Sequence, residues 1–142
     1  MITVWVDRES VAMGDDAVSH VRSWELPDDA VPADVVVEVL RSGHLAHVAG
    51  DVAWTVQVGR FDVRRHDTWT EVRPVETSVA AVVHQSRAGE RLVTPLNRHL
   101  LLRPFAQGPA VPGPHAMSFG YSSEGVTLRP EDFAAWAGSR QR

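Results

Sequence analysis

The chain has 142 residues, 44% hydrophobic and 23% charged, the composition of a globular domain able to bury roughly 70% of its unfolded surface. It contains no Cys, which excludes disulfides and thiolate chemistry, and its 14 basic residues are all Arg, which excludes Schiff-base and Walker lysines. A formal charge of −4 argues against a nucleic-acid partner, and Arg64-Arg65-His66 and the Arg-Gln-Arg ending read as solvated surface rather than a phosphate track.

Ile2, Val4 and Val6 alternate with Thr3 and Trp5, the pattern of a half-buried strand. Met13-Gly14-Asp15-Asp16 signals a turn, and Val18 to Leu26 reads as the returning strand, with Trp24 and Leu26 on one face. A helix is expected over residues 32–42. Asp28 or Asp29 suits its cap, Pro32 its first turn and Gly43 its left-handed stop. Ala33, Val36, Val37 and Leu40 form the expected apolar face, and Asp34, Glu38 and Arg41 the wet one. Such valine-rich sequence is poor helix material by itself, so packing against a sheet must hold it. His44 to Gly50 reads as a connector. Val52, Trp54, Val56 and Val58 alternate with Ala53, Thr55 and Gln57 as a strand; Gly59-Arg60 suggests a turn, and a short strand follows near Trp69 to Val72.

The order hairpin, helix, further strands, with the Leu26-Pro27-Asp28-Asp29 entry to the helix, resembles the β-grasp (ubiquitin-like) topology over residues 1–75. A split β-α-β or another α+β sandwich gives a similar string. The resemblance implies a sheet with one crossing helix. It does not carry over the sulfur-carrier activity of small members, which present a Gly-Gly terminus, because this chain ends Gly138-Ser139-Arg140-Gln141-Arg142.

In the second half, Ser78 to His84 fits a short helix or a buried strand, Arg87 to Glu90 a turn, and His99 to Arg103 a buried strand stopped by Pro104. Residues 107–114 are too rich in Gly and Pro for helix or central strand, Met117 to Ser122 suits a strand, and residues 130–137 a short terminal helix. The whole is read as a single α+β domain over 1–142. It has a mostly antiparallel sheet, the 32–42 helix on one face, and residues 76–142 extending the sheet or covering its other face.

Seven His invite a metal reading, but His44 and His47 have no third ligand at a recognised spacing, and His20, His66, His84, His99 and His115 are scattered; no metal or cofactor is expected. There is no Gly-x-Ser-x-Gly elbow, and His66-Asp67 are strand neighbours facing opposite ways. Five Trp are many for this length. Trp24, Trp54 and Trp136 suit a core or docking role, whereas Trp5 and Trp69 break phase with their aliphatic neighbours. With the acids Asp15 and Asp16, these two make the candidate partner-binding surface. The expected function is a non-catalytic protein-binding module, one form being a small inhibitor or immunity-type protein. A small enzyme with a His/carboxylate site between the two halves is the alternative. The partner is expected to be another protein, with no nucleic acid and no membrane. No secretory leader or apolar span is evident and the composition suits a GC-rich bacterial genome, so a bacterial cytoplasm is the expected location.

Overall fold

The computed structural model describes residues 1–9, 20–45, 52–105, 115–122 and 135. In chain order the elements are β1 (Ile2–Arg8), β2 (Arg22–Leu26), α1 (Pro32–Ser42), β3 (Val52–Arg65), β4 (Thr70–Gln85), β5 (Arg91–Pro95), α2 (Arg98–Leu102) and β6 (His115–Ser122). All six strands form one curled sheet in the order β2-β1-β6-β3-β4-β5. The expectation of a mostly antiparallel sheet is corrected here: the sheet is mixed. The last strand enters between β1 and β3, running parallel to β1 and antiparallel to β3. The fold class is α+β.

Alternation sets which face of each strand is buried. Val4 and Val6 of β1, Trp54 and Val56 of β3, and Met117 and Phe119 of β6 are wholly buried and share a core with α1. Burying each such aliphatic side chain contributes about 1.5–3 kcal/mol. Trp54, the largest of them, donates its indole Nε1–H to Gln85 Oε1 across 2.9 Å, so its polar end is satisfied inside the core.

Helix α1 keeps its expected bounds, but its buried stripe is Ala33, Val35, Val36 and Val39, rotated from the one expected; Val37 and Leu40 pack at its margin. Its cap is also different. Asp28 accepts the N-terminal ammonium at 2.6 Å, while Asp34 reaches back to accept the Val31 N–H at 3.0 Å. Gly43 closes the helix with φ 72°, the left-handed stop its sequence position suggested.

Two further expectations are revised. Gly59-Arg60 does not end a strand. The β3 strand continues to Arg65, and Gly59 adopts φ 145° because a Cβ there would collide with the Glu76 carbonyl oxygen of the neighbouring strand. His99 to Arg103 is not a strand, because Asn97 caps a short helix by accepting the Leu100 N–H at 3.1 Å, and α2 packs on α1. Ser78 to His84 is strand, Arg87 to Gly89 is turn, and β6 matches the strand expected near Met117. The turn at Met13–Asp16, the start of the returning strand at Val18, His47 and the loop 107–114 lie outside the described residues. So does the terminal helix at 130–137, apart from residue 135, which is helical. Among the described residues no helix is long and apolar enough to cross a membrane.

Beyond Gln57, β3 loses its partner β6, and beyond Ala81, β4 has no partner in β5. The remainder is a long two-stranded ribbon, Val58 to Arg65 paired with Thr70 to Ser78. Register shifts at Val56/Gln57 and Arg60/Phe61 bend it, as bulges do. The consequence is visible at its end: Arg65 of β3 lies over Trp5 of β1, although β6 separates the two strands. The ribbon therefore curls over the sheet face opposite α1.

Candidate functional site

Since Val4 and Val6 point to the α1 core, Thr3, Trp5, Asp7 and Glu9 occupy the other face of β1. Register extends that face across the sheet. Asp7 is opposite Ser118, and Ser118 is opposite Gln57, to whose Oε1 Thr77 donates its hydroxyl at 3.3 Å. Gly120 sits beside this row. A Cβ built there would lie 2.6 Å from Thr55 Oγ1, 3.0 Å from Glu9 Oε1 and 3.1 Å from Gln57 Nε2. The missing side chain lets three polar groups, two from β3 and one from the residue after β1, converge over one backbone position.

Trp5 is the aromatic of this face and is half-buried. Asp7 lies two residues along the strand, and Glu25 of β2 joins from the other side, accepting the Thr3 hydroxyl at 2.6 Å. Burial pushes the Asp7 carboxyl above its ordinary range, against the lowering effects of a backbone hydrogen bond from Arg8 and the charges of His20 and Arg8. The face is thus acidic, and one of its carboxylates is partly withdrawn from water.

The ribbon brings the opposite charge. Its inner side pairs Val63 with Val72 and Arg65 with Thr70; Val72 and Thr70 are buried, and the Arg65 guanidinium stands 5.6 Å from the Trp5 ring centroid. Its outer side is internally neutralised. Asp62 accepts Arg64 at 2.9 Å and Arg73 at 3.3 Å, and Arg60 meets Glu76 at 3.4 Å. Hydrogen bonds from Arg73 and Arg64 hold the Asp62 carboxyl below the usual range. At the ribbon's end Trp69, 48% exposed, stacks on His66 with centroids 4.3 Å apart, and His66 Nε2 lies 3.3 Å from Glu71.

Of the four residues expected to bind a partner, the structure therefore places Trp5 under Arg65 and Trp69 at the exposed ribbon end. Asp15 and Asp16 lie outside the described residues. Sequence reasoning missed Glu25 and Arg65 on this face; Asp7 and Glu9 are legible in the sequence among the acids that crowd the first hairpin, whereas nothing local points to Arg65.

The histidines do not assemble. Among the described residues no three His, Asp or Glu side chains converge on a point that would hold a metal. His44 has its own setting beyond the Gly43 stop. Its ring meets Trp24 edge-on at 5.7 Å, its carbonyl accepts Arg8 Nε at 2.8 Å, and its buried Nε2 has no hydrogen-bond partner. Burial, followed by the charges of Arg22 and Arg8, lowers its pKa to about 4.

Comparisons of the chain with protein-family models, curated proteins and solved structures gave no match.

Proposed function

We propose that this chain is a non-catalytic protein-binding module that meets its partner through the Trp5 face of the sheet and the Trp69 end of the ribbon. The observation that carries the proposal is Trp5 set among the carboxylates Asp7, Glu9 and Glu25 on one face, away from the core under α1. Acids steer a basic partner and select it, while an amphipathic ring supplies contact area at small entropic cost. Exposed Trp69, stiffened by stacking on His66, gives a second anchor. Hairpin β1–β2, then α1 across one face, then β3 supports grouping residues 1–75 with β-grasp-like units. A small inhibitor or immunity-type protein of a bacterial cytoplasm is the concrete form; the Cys-free, Lys-free composition supports that setting.

The test is site-specific photo-crosslinking in lysate of the native host, with the probe at position 69 or, as control, at exposed position 41 on α1. A discrete polypeptide captured from 69, absent from 41 and weakened by salt, is the expected result. Identical capture from both positions, or none from either, removes the proposal.

A small enzyme with a His/carboxylate acid–base pair is the second reading. The feature favouring it is Asp7, a carboxyl raised by burial within the field of His20. It differs in its consequence: Asp7→Asn would abolish turnover, whereas the binding reading asks only for weaker association.

A further inference from the structure

We propose that the Trp5 face is a guanidinium site for an arginine of the partner protein, and that Arg65 is a tethered stand-in which the incoming arginine displaces. This deepens the protein-binding reading and rests on it for the nature of the partner.

The first ground is the choice Arg65 makes. The ribbon's other arginines, Arg60, Arg64 and Arg73, lie on its outer side against carboxylates. Arg65 points inward instead, and the ring of Trp5 is the partner the structure gives it. An exposed arginine has no need of a protein ring for solvation. Its position shows that the ring face accepts a guanidinium at cation–π distance.

The second ground is what surrounds the ring. Asp7 follows Trp5 at the same-face spacing of two, Glu25 joins through Thr3, and burial holds Asp7 partly desolvated. The contact Arg65 makes at the site is with the ring of Trp5. Asp7, on which the charges of His20 and Arg8 already act, and Glu25 share the face with that ring, so an incoming arginine meets carboxylates there while the ring covers its face.

The third ground is connectivity. Arg65 is the last residue of β3, next to the ribbon turn, and it is exposed. Releasing it from Trp5 breaks no backbone pairing to the sheet body, since the ribbon strands pair only with each other there. A tethered side chain competes with an incoming one by mass action, and the apparent affinity falls by the fraction of sites it leaves open. A cation–π contact at an exposed site corresponds to an occupancy bias of about twofold to fivefold. Arg65 thus weakens the binding of any single arginine by a few-fold, a loss that a multidentate basic segment offsets through its further contacts.

The experiment uses the full chain and a hexa-arginine peptide, with hexalysine and hexaglutamate as controls, read by calorimetry and by the indole N–H resonance of Trp5. Wild type is expected to bind hexa-arginine weakly with a shift of the Trp5 resonance. Arg65→Ala and Arg65→Gln should bind it about threefold to sixfold tighter, and Asp7→Asn more weakly with a flatter salt dependence. Hexalysine should bind Arg65→Ala less well than hexa-arginine does. If Arg65→Ala binds no tighter than wild type, if hexalysine matches hexa-arginine, or if the Trp5 resonance does not move, the inference is overturned. The outcome is separable from the broader reading: a partner captured at position 69 whose affinity ignores Arg65 overturns only the guanidinium site. Peptide binding without any captured partner overturns only the protein-binding role.

Discussion

Protonation of His44 is the perturbation with the clearest magnitude. The side chain is 8% exposed, with Nε2 unpartnered, Arg22 and Arg8 close enough to oppose a positive charge, and a backbone hydrogen bond with Val6 as the one opposing influence. His20 adds a further like charge when protonated. The folded-state pKa of about 4 is below the ordinary 6.5, so between those values the unfolded chain binds a proton that the folded one refuses. Stability therefore rises with pH through this window and is lost as pH falls from the unfolded value toward the folded one. The full gap corresponds to about 3 kcal/mol, and the part developed between about pH 7 and about pH 5 to about 2 kcal/mol. Urea unfolding at those two pH values measures it, comparing wild type with His44→Leu, whose side chain cannot titrate. Wild type should lose about 2 kcal/mol more than the variant across the interval. His115, lowered by burial, and Asp7, raised by it, are present in both proteins and cancel in the comparison. Equal losses in the two proteins, or an imidazole titration of His44 centred near its ordinary value, would refute the reasoning.

Two further outcomes follow from local geometry. Gly59→Ala should destabilise by more than about 2 kcal/mol in thermal or urea melts, since the new Cβ meets backbone of β4 at a φ that L-residues avoid. Asp34→Ala should cost about 0.5–2 kcal/mol through loss of its bond to the Val31 N–H, whereas Glu38→Ala, which removes only a surface pair with Arg41, should cost less than about 0.5 kcal/mol by the same melts.

What was legible in the chain was what local chemistry dictates. Pro32 and Gly43 bracket α1 because each has a conformational preference that acts without help from the rest of the fold. The rotation of the helix face was not legible. Seven residues of this stretch are apolar, so the sheet it meets decides that Val35 and Val39 go inward and Val37 and Leu40 to the margin. Gly59 was misread for a related reason. A glycine before an arginine is a fair turn signal, yet its freedom served a close approach of β3 to Glu76 inside a continuous ladder. In His99-Leu100-Leu101-Leu102 the apolar run fits either period, and the decisive residue was Asn97, two positions upstream, whose side chain caps the Leu100 amide. The mixed sheet was beyond any local rule, because the pairing of β6 with β1 is a choice among strands far apart in sequence.

The candidate site divides along the same line, and the division explains why it needs the fold. Trp5 announced itself by breaking the alternation of Val4 and Val6, and Asp7 and Glu9 follow at same-face spacing, so three members of the acidic face come from β1 and the residue just after it. Glu25 enters through the antiparallel register that sets it opposite Thr3. Arg65 reaches Trp5 through the ribbon, whose two register shifts bend it as the end of β3 passes β6 to β1. The acidic face is therefore a property of the β1–β2 hairpin, while its occupancy by a guanidinium is a property of curvature. The two are separable by mutation at Gly59 and Arg65: strain at Gly59 should disturb the ribbon and free the ring by displacing the whole arm, whereas Arg65→Ala frees the ring with the arm in place.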